Sequence, residues 1–346
     1  MPEHDRSPGP WLISRRADLA VILGPPLAAV ALAFGRPTAA LPEGGYVLLV
    51  LCVDVAHVYG SLYRTYLDPD ARARMRARLI LTPALAFAGC AALYLLAPER
   101  FWTALAYLAI YHFIRQQVGM AMLYRLREGL PTRDLGARLE RAAHWAVTGW
   151  PVLWWHAHLP RAFEWFTPGD FLIGLPAWAL WPTGALALAA LAGHGIARLR
   201  ERRWSPGRDL WLLTTAAVWV GGIVLTNGDL AFTATNVVLH GVPYLALVGW
   251  TARRQWALTG RGPAVPAWFG AAGAYVLPLL VLAFAEEALW DRSVWHERAW
   301  LFGTAEIPLG ILAVPLLSVP QVTHYLLDAH IWRLGPENPG LRRWLC

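Results

Sequence analysis

Four histidines of this sequence lie inside apolar stretches, each with polar company one helical turn away. His57 has Asp54 and Ser61 at three and four residues, and Tyr59 two residues on. His112 is followed at four residues by Gln116, and His240 is preceded at four by Asn236 and followed at four by Tyr244. His324 is followed by Tyr325 and, at four residues, by Asp328. Residues three or four apart share a helix face. Neutral imidazole suits iron, copper and zinc, and a metal-bound ring normally donates its second N–H to a carboxylate or amide. His57, His112, His240 and His324 are therefore candidate metal ligands. Asp54, Gln116, Asn236 and Asp328 are candidates for orienting those rings or for joining the ligand set. Tyr59, Tyr244 and Tyr325 are candidates for binding or orienting oxygen species. The bland reading of any single one is a histidine that hydrogen-bonds a neighbouring helix, worth about 1 kcal/mol. Several ionisable groups at one depth, with Asp54, Asp328 and Arg115 among them, favour function, because such groups are costly in a bilayer. Arg115 is expected to pair with one of the two aspartates.

The elements that must position them are transmembrane helices. Of 346 residues 57% are hydrophobic and only 15% charged, against about a quarter charged in soluble domains. Apolar runs long enough to cross a hydrocarbon core of ~30 Å predict spans near 19–35, 42–63, 79–97, 101–124, 142–158, 176–197, 209–226, 232–252, 266–286 and 303–326. The fold class is all-α: a polytopic bundle of about ten spans forming one integral membrane domain over 1–346. Prolines within several spans, such as Pro151, Pro243, Pro278 and Pro315, are tolerated where neighbours satisfy the freed backbone groups.

Charge placement tests this map independently. All 30 basic residues are arginine. With ten spans, Arg36, Arg100, Arg161, Arg292 and Arg298 fall on one side, Arg115 lies within span four, and the remaining 24 of the 30 fall on the other side. The positive-inside rule then puts both termini in the cytoplasm, in a multi-pass protein of the bacterial inner membrane. The four histidine-bearing spans all run outside to inside. The first arginine beyond each span follows its histidine by seven, thirteen, thirteen and nine residues, for His57, His112, His240 and His324. At ~1.5 Å per residue the rings lie roughly 10, 20, 20 and 14 Å from the cytoplasmic interface, in one slab about 10 Å thick.

Other signals narrow the classes. The net charge of +7 arises from arginines at helix ends facing anionic lipid headgroups, so no nucleic-acid partner is implied. Cys52, Cys90 and Cys346 are too scattered for a disulfide framework or a metal knuckle. Ser14-Arg15-Arg16 ahead of an apolar run faintly resembles a twin-arginine signal, and nine further spans make it a signal anchor. Segments 159–175 and 287–302, rich in Trp and Phe, are expected along the outer interface. His144 and His194 read as interfacial, His156, His158 and His296 as solvated, and His330 as a reserve ligand.

A site within the bilayer is reached by an apolar substrate moving in laterally, and apolar substrates that need iron are oxidised with O₂. The leading reading is a non-haem iron oxygenase acting on a lipid or isoprenoid. Single histidines on separate helices, here His57, His112, His240 and His324, resemble the arrangement in the Brp/Blh-type membrane β-carotene oxygenases. They do not resemble the clustered histidine boxes of fatty-acid desaturases. That resemblance implies carotenoid chemistry. The second reading is a b-type haem protein for electron transfer or quinone chemistry, with His112 and His240 as the axial pair. A proton- or ion-coupled transporter and a structural subunit associated with other membrane subunits complete the set.

Overall fold

The structure, a computed structural model, describes residues 9–172, 174–263, 272–335 and 338–345. Among these residues the chain is helical, with no strand. Seven helices are long and apolar enough to cross a membrane: α1 (Arg15–Gly35), α2 (Glu43–Arg64), α3 (Arg76–Leu96), α6 (Ala177–Glu201), α7 (Pro206–Leu225), α8 (Asp229–Thr259) and α10 (Gly310–Ile331). Two more, α4 (Pro98–Arg127) and α5 (Leu135–Ala157), are helical over predicted spans without meeting that standard, and α9 (Ala272–Trp290) is the described part of the ninth. Residues 266–271 of the ninth predicted span lie outside the described residues. The tenth begins at Gly310 instead of 303, since Pro308 and the positive φ of Gly310 (65°) keep the preceding segment out of a helix.

Local chemistry sets several of these ends. The Ser14 hydroxyl accepts the Ala17 N–H (3.2 Å) at the start of α1, and the Asp134 carboxylate accepts the Ala137 N–H (2.8 Å) at the start of α5, each satisfying an orphan first-turn donor. Pro206 opens α7, where its missing N–H is harmless. In α2 the stretch Tyr46–Val55 is wound as a π-helix, a rare geometry that recurs at functional sites. It delivers Asp54 and then His57.

The described chain divides into two compact units. One takes in the described parts of 1–45, 106–243 and 345–346. Its buried charge hub ties α4, α5, α6 and α7 together. Arg125 donates to Glu140 (3.1 Å), Glu201 (3.2 Å) and Asp134 (3.0 Å), while Arg208 donates to Glu140 (2.6 Å), Glu201 (2.9 Å) and Glu128 (3.3 Å). Asp18 of α1 is equally enclosed. It accepts the N–H groups of Leu12 (2.7 Å) and Ile13 (2.9 Å) and the Tyr124 hydroxyl (2.9 Å). Segment 159–175 contributes two rings to the interior. Phe163 and Phe171 are buried, and they pack on Trp155 of α5 at ring distances of 4.7 and 4.5 Å. Because Asp170 is buried with them its carboxyl is pushed up, although backbone N–H groups of residues 165–167 oppose that shift.

The other unit takes in the described parts of 46–105 and 244–344. Its core joins Ala56 and Tyr63 of α2, Tyr244, Val248 and Ala252 of α8, and Tyr275, Leu279 and Ala283 of α9. A second cluster sets Leu327 and Ile331 of α10 against Met75 and Leu79. Arg64, read from sequence as an interfacial arginine, is buried. It lies against the Trp332 and Trp344 rings (5.3 and 4.9 Å) and donates to the Ile331 carbonyl (3.3 Å).

Removing one member of a buried ion-pair group leaves its partners uncompensated, typically at about 3–5 kcal/mol. Glu140→Ala takes one carboxylate from both Arg125 and Arg208 and is expected to destabilise by up to that amount. The unfolding midpoint in detergent should fall by several degrees, with Arg133→Ala, a change of an exposed arginine, as the unaffected comparison.

Candidate metal centre

His112 of α4 and His240 of α8 are both buried, with ring centroids 5.0 Å apart and nearly perpendicular. Phe113 stacks on the His240 ring at 3.7 Å and itself meets Trp165 edge-on at 5.1 Å, so aromatic rings fix one side of His240. Gln116 does not serve the His112 ring. Its amide Nε2 donates to the backbone carbonyl of His240 (2.7 Å), clamping α4 to α8 beside both rings. Asn236 is buried, with its Nδ2 donating to the Phe232 carbonyl (3.2 Å) and its Oδ1 holding no hydrogen-bond partner among the described residues.

His57 of α2 and His324 of α10 form a second buried pair, with centroids 5.0 Å apart. Tyr244 stands edge-on to both rings, 5.8 Å from His57 and 5.3 Å from His324. Its hydroxyl donates to Asp328 (2.7 Å), and the same Asp328 oxygen lies 3.8 Å from Nδ1 of His324. Asp54 lies 3.7 Å from Nδ1 of His57. Both separations exceed a hydrogen bond, so these carboxylates accompany the rings electrostatically. The Tyr325 hydroxyl accepts from Gln321 (2.7 Å), and the Tyr59 hydroxyl donates to Glu286 (2.6 Å).

His57, His112, His240 and His324 form one buried group: each offers a ring nitrogen, and those atoms all lie within 4.8 Å of one another. Two imidazole nitrogens at about 2.1 Å from one ion are at most about 4.2 Å apart. A group of that spread could hold one metal ion, with the rings drawing closer to it. No protein-family model, curated protein or solved structure matches this chain. The chemistry rests on its own residues.

The other described histidines are not part of this group. His144 is buried rather than interfacial, with Nδ1 on the Glu140 carbonyl (2.9 Å), and His194 is buried as well. His156 is half-buried, bonded to the Tyr107 hydroxyl (2.7 Å) and the Val152 carbonyl (2.7 Å) instead of being solvated. His158 and His296 are exposed, as expected. Arg115 is exposed too, and its expected pairing with Asp54 or Asp328 is not among the ion pairs of the described residues. Sequence reasoning missed Glu286 and Glu287 of α9. Glu286 receives the Tyr59 hydroxyl and Glu287 that of Tyr46. The one available signal was a pair of glutamates inside an otherwise apolar run, which coincided with the predicted end of a span.

The Tyr244 hydroxyl donates to Asp328, the carboxyl group beside His324. Tyr244→Phe keeps the edge-on ring but leaves Asp328 short of that donor, a loss of about 1–3 kcal/mol for a hydrogen bond to a charged group. Thermal unfolding in detergent should show it.

Proposed function

We propose that this chain is a membrane-embedded non-haem iron oxygenase that oxidises a lipid or isoprenoid with O₂. The observation that carries the reading is the buried group of four imidazole nitrogens within 4.8 Å of one another. Imidazole is a ligand for iron, copper and zinc alike, and iron is preferred here because it couples an all-nitrogen site to O₂ chemistry on apolar substrates. Haem fits the donor set less well. A porphyrin needs two imidazoles on opposite faces and a clear plane between them, whereas four nitrogens this close put the second pair in that plane.

In this reading His57, His112, His240 and His324 hold the metal. Iron, when bound, supplies the one-electron chemistry that lets O₂ react with a closed-shell substrate. The chain does the rest. Asp54 and Asp328 place carboxyl groups beside two of the four rings, positioned to orient them when a metal is bound. Tyr244 holds Asp328, and Gln116 holds the α8 backbone at His240. Tyr325 and Tyr59 supply hydroxyls for orienting oxygen species, Tyr59 backed by Glu286. Cleavage of a C=C bond into two carbonyls places both atoms of O₂ in the products and needs no external electrons. Hydroxylation or desaturation needs two electrons from a donor.

The same reading takes the ten helices as ten spans with both termini in the cytoplasm of a bacterium, and the partners as membrane lipids and a hydrophobic substrate. The 24 arginines of one side support that orientation.

Protein purified in detergent is expected to hold close to one iron per chain and to show no Soret band. His112→Ala should lose most of that iron while keeping its elution profile. Carotenoid or unsaturated lipid incubated with O₂ should then yield oxidised product with the wild type alone. A Soret band would establish the haem reading instead. Protein with neither iron nor haem, even when purified without chelators, would sink both and leave transport or a structural role.

A further inference from the structure

A second site lies at the opposite chemical extreme from the histidines. Where α6 ends and α7 begins, beside the start of α1, a cavity of about 520 Å³ is lined by Trp11, Arg15, Leu19, Trp204, Asp209 and Leu210. That volume falls in the ~300–1,000 Å³ of ligand sites and is far more than a lone inorganic anion fills.

The charges on its wall are unequal. Asp209 is neutralised by Arg198, which grips both carboxylate oxygens (2.8 and 2.8 Å) and reaches Glu201 (2.7 Å) as well. Arg15 is exposed and makes no hydrogen bond or ion pair with the described residues. Among the described residues the uncompensated charge on the cavity wall is therefore the Arg15 guanidinium, a fork that matches phosphate oxygens bidentately. Trp204 stands 80% exposed at the rim, which suits a ring placed at headgroup level, where tryptophan is enriched. Leu19 and Leu210 continue the wall as an apolar surface fit for glycerol and the first methylenes of acyl chains.

The walls are also built firmly. Leu12 and Ile13, which follow Trp11, give their N–H groups to buried Asp18, and the Tyr124 hydroxyl donates to the same carboxylate. Gly207, three residues past Trp204, packs so closely on the Pro10 carbonyl and the Tyr124 ring that no Cβ could be fitted there. Both tryptophans therefore sit on anchored backbone.

We infer that this cavity binds the phosphodiester headgroup of one anionic glycerophospholipid, with Arg15 on the phosphate and Trp11 and Trp204 beside the glycerol. The inference does not depend on the metal reading, since none of these residues belongs to the histidine group.

Native mass spectrometry of the full chain, released from nanodiscs of phosphatidylcholine with a minority of phosphatidylglycerol, tests it. One retained phosphatidylglycerol per chain is expected. Its occupancy should fall roughly tenfold in Arg15→Gln, the loss expected for one charge-assisted pair, and stay unchanged in Arg16→Gln, a change of the exposed neighbour that does not line the cavity. Trp204→Ala should lower it as well. Since Arg15 and Trp204 are exposed, unchanged melting points should accompany these losses. Equal retention in Arg15→Gln would overturn the inference. So would release of the lipid by millimolar inorganic phosphate, which marks a site for a free anion, or equal retention of phosphatidylcholine.

Discussion

Placing ionisable side chains among apolar helices is costly unless each finds compensation, and the chain meets that constraint in two different ways. In the unit containing Arg125 and Arg208, cations and carboxylates are interleaved so that Glu140 answers both arginines and Glu201 answers both again. Four helices are held to that hub, and it is one of them, α4, that carries His112. The histidines are treated otherwise. Their rings are gathered with one another and with aromatic neighbours.

That difference matters chemically. A neutral imidazole is far cheaper to bury than a charge, and it keeps a lone pair for a metal. Four of them gathered closely offer a donor set with no net charge of its own. The two carboxylates beside the set, Asp54 and Asp328, sit just beyond hydrogen-bond range of His57 and His324. Holding such a set requires its supporting shell to be rigid. Phe113 on one ring, Tyr244 against two others, and the Gln116 clamp on the His240 carbonyl provide that rigidity.

Much of this was legible in the sequence, and the reasons for the misses are physical. Helices α1, α2, α3, α6, α7 and α8 were readable because hydropathy and helix length coincide. The four histidines stood out because depth can be counted from the arginine that ends each span, and depth is a property of one helix alone. What a single helix cannot encode is its partner. Gln116 sits one turn from His112, yet its amide serves another helix. Arg115 looked like a mate for an intramembrane aspartate but faces outward. Glu286 and Glu287 passed for the end of a span because their partners, Tyr59 and Tyr46, are more than two hundred residues away in sequence. Segment 159–175 was read as interfacial from its Trp and Phe content, and composition does not tell a ring that meets lipid from one that meets Trp155.

The central claim is that His57, His112, His240 and His324 bind one ion together. X-ray absorption at the iron edge of the iron-loaded protein addresses it directly, because imidazole rings leave a multiple-scattering signature that carboxylates and water do not. The account predicts a first shell dominated by nitrogen at about 2.0–2.2 Å, with scattering best fitted by four imidazoles and by three in any one of the single His→Ala variants. A shell of oxygen or sulfur with no more than one imidazole, unchanged in those variants, would contradict it.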